Sequence, residues 1–138
     1  MPTRVVAGQE PRGTELILIA EDHESIREMA QQTLQYLGYG VLSAGDGEEA
    51  LELLEQGNPA LAVLDVVMPK LGGPATAVQL LQRFPKLPII FTSGHAQDTQ
   101  PFPASTNLMT YLQKPYSPKA LGKLVRSVLD QQAKAAGT

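Results

Sequence analysis

The sequence predicts an α/β domain of the doubly wound class: a five-stranded parallel sheet with helices on both faces. Two observations predict it. Five short apolar runs bounded by turn residues, near 16–20, 40–44, 61–65, 88–92 and 109–113, read as buried strands. Segments of helical period separate most of them, and such alternation marks βα units feeding a parallel sheet.

Residues 1–13 contain Pro2, Gly8, Pro11 and Gly13 with little apolar periodicity, so they are expected to form a flexible leader. The domain is expected over residues 14–131. Leu16–Ala20 is the first strand and runs into Glu21-Asp22. In the first helix Ile26, Met29, Ala30, Thr33, Leu34 and Leu37 recur at three- and four-residue steps, and Gly38 stops it. After the strand at 40–44, Asp46 as N-cap with Glu49 three residues on makes a capping-box pattern. Ala50, Leu51, Leu53 and Leu54 then form the apolar face before Gly57.

Leu61–Leu64 is the third strand and runs into Asp65; a third helix is expected from about Pro74 to Phe84. The strand at 88–92 leads into an unusual crossover with Pro101 and Pro103. Proline in a helix interior costs roughly 3 kcal/mol, so the fourth helix is expected to be short or irregular. Met109–Gln113 is the last strand and runs into Lys114-Pro115. Ser117 as N-cap and Pro118 at the first helical position open the final helix, whose apolar set is Leu121, Leu124, Val125, Val128 and Leu129. Residues 132–138 are expected to be a disordered tail.

At 138 residues the chain has the size of one ordinary domain. It contains no apolar stretch long enough to span a bilayer and lacks the basic-then-apolar layout of a signal peptide, so a soluble, cytoplasmic domain without membrane insertion is expected. The absence of cysteine excludes a disulfide framework and thiolate metal sites. A net charge of −3 without a Lys/Arg block argues against direct nucleic-acid binding.

In open α/β sheets ligands sit beyond the carboxyl ends of the strands. Glu21, Asp22, Asp65, Ser93 and Lys114 all fall at such ends. Grouped carboxylates repel one another, and a hard cation such as Mg2+ relieves this while keeping positions open for phosphate oxygens. An Asp carboxylate beside Mg2+ is a competent nucleophile toward phosphorus. Lys114 could neutralise one phosphoryl oxygen and the Ser93 hydroxyl could donate to another. Any one of these residues alone suits a blander role: Asp22 as a helix cap, Asp65 as a turn acid, Lys114 as a solvated surface cation. Their joint order carries the argument.

Four motifs, Ile17-Leu18-Ile19-Ala20-Glu21-Asp22, Leu64-Asp65-Val66-Val67-Met68-Pro69 with Gly73 beyond, Pro88-Ile89-Ile90-Phe91-Thr92-Ser93-Gly94, and Lys114-Pro115, resemble the receiver domain of two-component response regulators over roughly residues 15 to 130. The resemblance implies a flavodoxin-like strand order, 2-1-3-4-5. It implies that Asp65 accepts phosphate from a histidine kinase or histidine phosphotransfer protein, and that Glu21, Asp22 and Asp65 bind Mg2+ with the Val67 backbone carbonyl. Ser93 and Lys114 would contact the phosphoryl group, with Thr92 the alternative hydroxyl, and Tyr111 would be the aromatic whose rotamer follows phosphorylation. The Lys114-Pro115 bond would be cis. Such a domain is not an enzyme in its own right, although it catalyses its own phosphorylation and dephosphorylation. The leader ending Pro11-Arg12-Gly13-Thr14-Glu15 and the Phe91–Gly94 run are similar to the C-terminal receivers of hybrid sensor kinases.

Three other functions compete. A phosphohydrolase of the haloacid-dehalogenase type needs a second Asp two residues after the nucleophile, where this chain has Val67. An FMN carrier needs a phosphate loop rich in Ser, Thr and Gly after the first strand, where Glu21-Asp22-His23-Glu24 would repel a phosphate. A receiver-fold protein-interaction module without phosphotransfer would need no intact acidic site, and here the acids, a hydroxyl residue and Lys114 are all present.

Overall fold

In the computed structural model, which describes residues 11–94 and 109–137, five strands form one sheet: β1 (Leu16–Ala20), β2 (Gly40–Ala44), β3 (Leu61–Asp65), β4 (Ile89–Ser93) and β5 (Met109–Gln113). All pairings are parallel and the order is β2-β1-β3-β4-β5, as the resemblance implies. The helices among the described residues are α1 (Glu24–Tyr36), α2 (Gly47–Glu52), α3 (Gly73–Arg83) and α4 (Pro118–Gly137), with a 3-10 turn at Leu53–Gln56 after α2.

Successive residues of a strand point to opposite faces, and β1 shows why the sheet needs helices on both. Ile17 and Ile19 pack with Leu34 of α1 and with Leu121 and Val125 of α4. Leu18 and Ala20 pack with Ala50 and Leu54 beside α2 and with Ala77 and Leu80 of α3. Each such Leu or Ile contributes about 1.5–3 kcal/mol by leaving water. Two apolar layers thus clamp the strands, and the polar strand ends are held at one rim.

Local chemistry sets the helix ends. Asp46 Oδ1 accepts from the Glu49 N–H at 2.9 Å, while Glu49 Oε1 accepts from Gly45 N rather than from the cap itself. Ser117 Oγ caps α4 by accepting from Ala120 N at 3.0 Å. α3 starts at Gly73, one residue before the expected Pro74, and β4 extends to Ser93, so Ser93 is the last residue of its strand.

The structure moves both ends of the ordered chain outward. α4 continues to Gly137, past Gln131 where the sequence pattern ends the domain. Ala133, Ala135 and Ala136 are strong helix formers, and Gln132 Nε2 donates to Lys86 O at 2.9 Å. At the other end Pro11–Gly13 are packed rather than free: Gly13 N donates to Leu37 O at 3.1 Å, and Arg126 Nη1 donates to Arg12 O at 3.1 Å. The remaining leader residues, His95 and the crossover with Pro101 and Pro103 lie outside the described residues. Among the described residues no helix is long and apolar enough to cross a membrane.

Candidate functional site

The register brings the polar strand ends together. Glu21 follows β1, and its N–H donates to Ala44 O at 3.0 Å. Its carbonyl accepts from Arg27 Nη1 of α1 at 2.7 Å, and its Oε2 accepts from His23 N at 3.0 Å. These three bonds fix the side chain toward the rim. Asp65 ends β3 opposite Thr92, and Ser93 pairs with Gln113. Lys114 N then donates to Ser93 O at 2.7 Å, and the Lys114-Pro115 bond is cis.

Lys114 is the centre of this arrangement. Its Nζ lies 2.8 Å from Glu21 Oε1 and 3.0 Å from Asp65 Oδ2. Glu21 is 2% exposed and Asp65 6%. Glu21 Oε1 is buried, and the Lys114 ammonium is its charge partner. Burial pushes the Asp65 carboxyl up to about 6; Lys114 opposes the rise and the Glu21 charge adds to it. Burial pulls the Lys114 ammonium down, but hydrogen bonds and charge from Glu21 and Asp65 outweigh it and leave Lys114 above its ordinary value.

The turn after β3 is set by backbone bonds. Val66 N donates to Thr92 O at 2.9 Å, and Gly73 N donates to Val66 O at 3.0 Å. Lys70 holds a positive φ of 65° within this turn. A side chain at Gly73 would run into the Asp65 carbonyl oxygen and Val66 Cα, so glycine is what lets α3 start against the acceptor's backbone. Val67 is 66% exposed at the head of the turn. Tyr111 is half-buried on β5 and stacks on Phe91, with ring centroids 5.5 Å apart.

Of the residues expected from sequence, Glu21, Asp65 and Lys114 meet in one buried cluster. Asp22 is exposed beside it, and its carboxylate groups with Glu21 and His23, whose ligand atoms lie within 4.8 Å of one another. Asp65 reaches Glu21 through Lys114 instead. Two residues escape the sequence reading. Arg27 anchors the Glu21 carbonyl from one helical turn into α1, a placement with no sequence signature. Tyr116 is raised, first by its burial and then by the Glu21 and Asp65 charges, so its phenol stays neutral near the site. The donor set is rich in hard carboxylate oxygen, with Glu21 and Asp22 grouped at the end of β1 and Asp65 across Lys114, and this fits Mg2+.

Fold and site together define a doubly wound domain that gathers acids and a lysine at the carboxyl ends of its strands. The family model described as response regulator receiver domain matches residues 17–126. A probable transcriptional regulator, ycf27, of Porphyridium aerugineum is 38% identical over 88% of this chain and 50% of its own length. Sensor kinase CckA of Brucella abortus is 36% identical over 87% of this chain and 13% of its own length. The CheY-like receiver domain from Methanospirillum hungatei superposes with a TM-score of 0.78 at 28% identity, covering 89% of this chain and 99% of that one. The chain thus spans half or less of these two curated relatives. It belongs to the response regulator receiver domain family, the receiver domains of two-component signalling.

Proposed function

We propose that Asp65 is the phosphoacceptor, taking a phosphoryl group from a phosphohistidine on a histidine kinase or histidine phosphotransfer protein. The observation that carries this reading is the buried bridge of Lys114 between Glu21 Oε1 and Asp65 Oδ2, at 2.8 and 3.0 Å. An Asp65 carboxylate oxygen attacks phosphorus in line; the P–N bond of the donor breaks and its electron pair returns to the imidazole nitrogen. Glu21, Asp22, Asp65 and the Val67 carbonyl would hold Mg2+, which when bound supplies positive charge against the phosphoryl oxygens.

Lys114, already within reach of Asp65, turns its ammonium to a phosphoryl oxygen. Ser93, at the end of β4 where the chain leaves the sheet, donates its hydroxyl to another. Thr92, directly across from Asp65 in the register, is the alternative donor. Tyr111, packed on Phe91 next to this strand end, follows the change and biases the surface beside it. The likeness to a sensor kinase receiver supports a hybrid-kinase setting, and the likeness to a transcriptional regulator supports a response-regulator setting.

Incubation with acetyl phosphate and Mg2+ followed by intact mass measurement tests the assignment. Wild type is expected to gain one phosphoryl group and Asp65→Asn none. An adduct of equal yield on the Asn variant would place the acceptor elsewhere, and no adduct on wild type would favour an interaction module without phosphotransfer.

A further inference from the structure

We propose that a cleft at the end of the sheet remote from Asp65 docks an acidic segment of a partner protein, one that sets a bulky apolar side chain between carboxylates. The proposal goes beyond phosphotransfer and does not rest on it.

The cleft has a volume of about 580 Å³ and lies where three parts of the chain meet: Pro59-Ala60 leading into β3, the α3–β4 connection from Arg83 to Pro88, and Gln132 of α4. Binding sites commonly hold about 300–1,000 Å³. The cleft adjoins the amino ends of β3 and β4, and strands of five residues put about 13 Å between it and the phosphoacceptor rim. Occupation of one end therefore leaves the other open.

The apolar part is built from the core. Pro59, Leu87 and Pro88 are buried, and Phe84 is partly buried beside them. Backbone groups around it are already spent: Ala60 N donates to Leu16 O, Phe84 N to Leu80 O, Leu87 N to Phe84 O, and Pro88 O accepts from Ala62 N. The prolines bring no N–H of their own. An incoming chain thus finds little backbone to extend as a strand and is read through side chains.

Charge decides the occupant. No carboxylate lines the cleft, whereas Arg83 and Lys86 both stand exposed at it. Among the described residues neither has an ion-pair partner; the Arg83 guanidinium carbon lies over the Phe84 ring, 5.5 Å from its centroid. A guanidinium held over a ring keeps its planar N–H fork for a carboxylate. The chain carries a net charge of −3, so this pair of cations reverses the sign of the molecule locally. Gln132 spends its Nε2 on Lys86 O at 2.9 Å, which leaves its Oε1 to accept an N–H of the ligand. An apolar floor, two cations and one acceptor match an apolar side chain flanked by acids. Nucleic acid offers phosphates but no apolar side chain to fill the cleft, and a flat bilayer surface does not enter a concave one.

Random peptides displayed on phage are panned against the full chain. The enriched peptides are then titrated by fluorescence anisotropy into wild type, Arg83→Glu, Lys86→Glu and Lys119→Glu, the last an exposed cation in the first turn of α4 that controls for net charge. Enriched peptides are expected to carry Phe, Leu or Trp beside Asp or Glu, to weaken with added salt, and to shift the amide signals of residues 83–88 and 132. Charge reversal sets like charges face to face, so each cleft variant should bind at least about tenfold more weakly, with Lys119→Glu near wild type. Urea melts check folding, and Arg83→Gln and Lys86→Gln replace any reversal that unfolds the chain. No enrichment, enriched peptides without acids, an equal loss in Lys119→Glu, or amide shifts away from the cleft would each overturn the proposal. Vesicles of phosphatidylcholine with phosphatidylserine, and sedimentation of the protein alone, complete the test. Vesicle binding lost in the cleft variants would make a lipid surface the occupant, and dimerisation lost in them a second copy; either result overturns docking of a partner segment.

Discussion

Asp65 is held in a state that costs the unphosphorylated protein stability. Burial raises its carboxyl from 3.8 to about 6, so the folded chain binds that proton more tightly than the unfolded chain does. The cost of ionising it is absent below about pH 4 and complete above about pH 6. Asp65→Asn is therefore expected to be more stable than wild type at pH 7.5 in Mg2+-free buffer. Two pKa units set an upper bound of about 3 kcal/mol, reduced by weakening of the Lys114 contact. Urea melts at both pH values check this, and a difference that persisted undiminished at pH 4 would refute the explanation. The same strain suits function, because a cation or phosphoryl group that draws on Lys114 and the carboxylates relieves a repulsion the folded state already carries.

Between elements, two contacts decide whether the site is presented at all. The first is the close approach of α3 to the end of β3. Gly73→Ala would press a methyl group into the Asp65 carbonyl oxygen and Val66 Cα, whereas a side chain at Gly94 meets nothing within 4 Å. Overpacking of this kind costs about 1–3 kcal/mol. We expect Gly73→Ala to lose that much in urea melts and to be phosphorylated more slowly by acetyl phosphate, with Gly94→Ala as the near-neutral control for stability. The second contact is Arg126 of α4, which clamps the segment leading into β1. Its Nη1 and Nη2 donate to Glu15 Oε1 and Oε2 at 3.2 and 2.9 Å, and Nη1 also reaches Tyr39 Oη at 3.3 Å. Arg126→Ala should cost about 1–3 kcal/mol at pH 7. The Arg126 hydrogen bond depresses the Glu15 carboxyl below its ordinary 4.5, so this stabilisation is full above that pH and fades as pH falls through the lowered value. A wild-type-minus-variant difference that is flat from pH 7 to pH 3 would show that Glu15 contributes nothing.

For the molecule as a whole, ligand binding and folding are one equilibrium. A cation that binds only the folded chain at about a hundred times its dissociation constant stabilises it by about 2.7 kcal/mol. Mg2+ is accordingly expected to raise the melting temperature of wild type, and Asp22→Asn to remove most of that rise while leaving the metal-free melting temperature nearly unchanged, since Asp22 is exposed. An undiminished Mg2+ shift in the variant would take Asp22 out of the metal site. The five strands and the chemistry of their ends were legible in sequence because short apolar runs closed by Glu21-Asp22, Asp65 and Lys114 are local signals. The end of α4 was not, because its last turns carry no apolar stripe and gain from helix propensity and the Gln132 bond to Lys86 O. Nor was the packing of Pro11–Gly13, which depends on Arg126, far away in the chain. By itself, then, the sequence determined the class of fold, the family and the residues that form the rim, since periodicity and residue order are properties of a chain. Only the tertiary structure decided which of those residues meet, setting Lys114 between Glu21 and Asp65. Distances across a sheet depend on register, burial and helix placement, and no local run of residues encodes them.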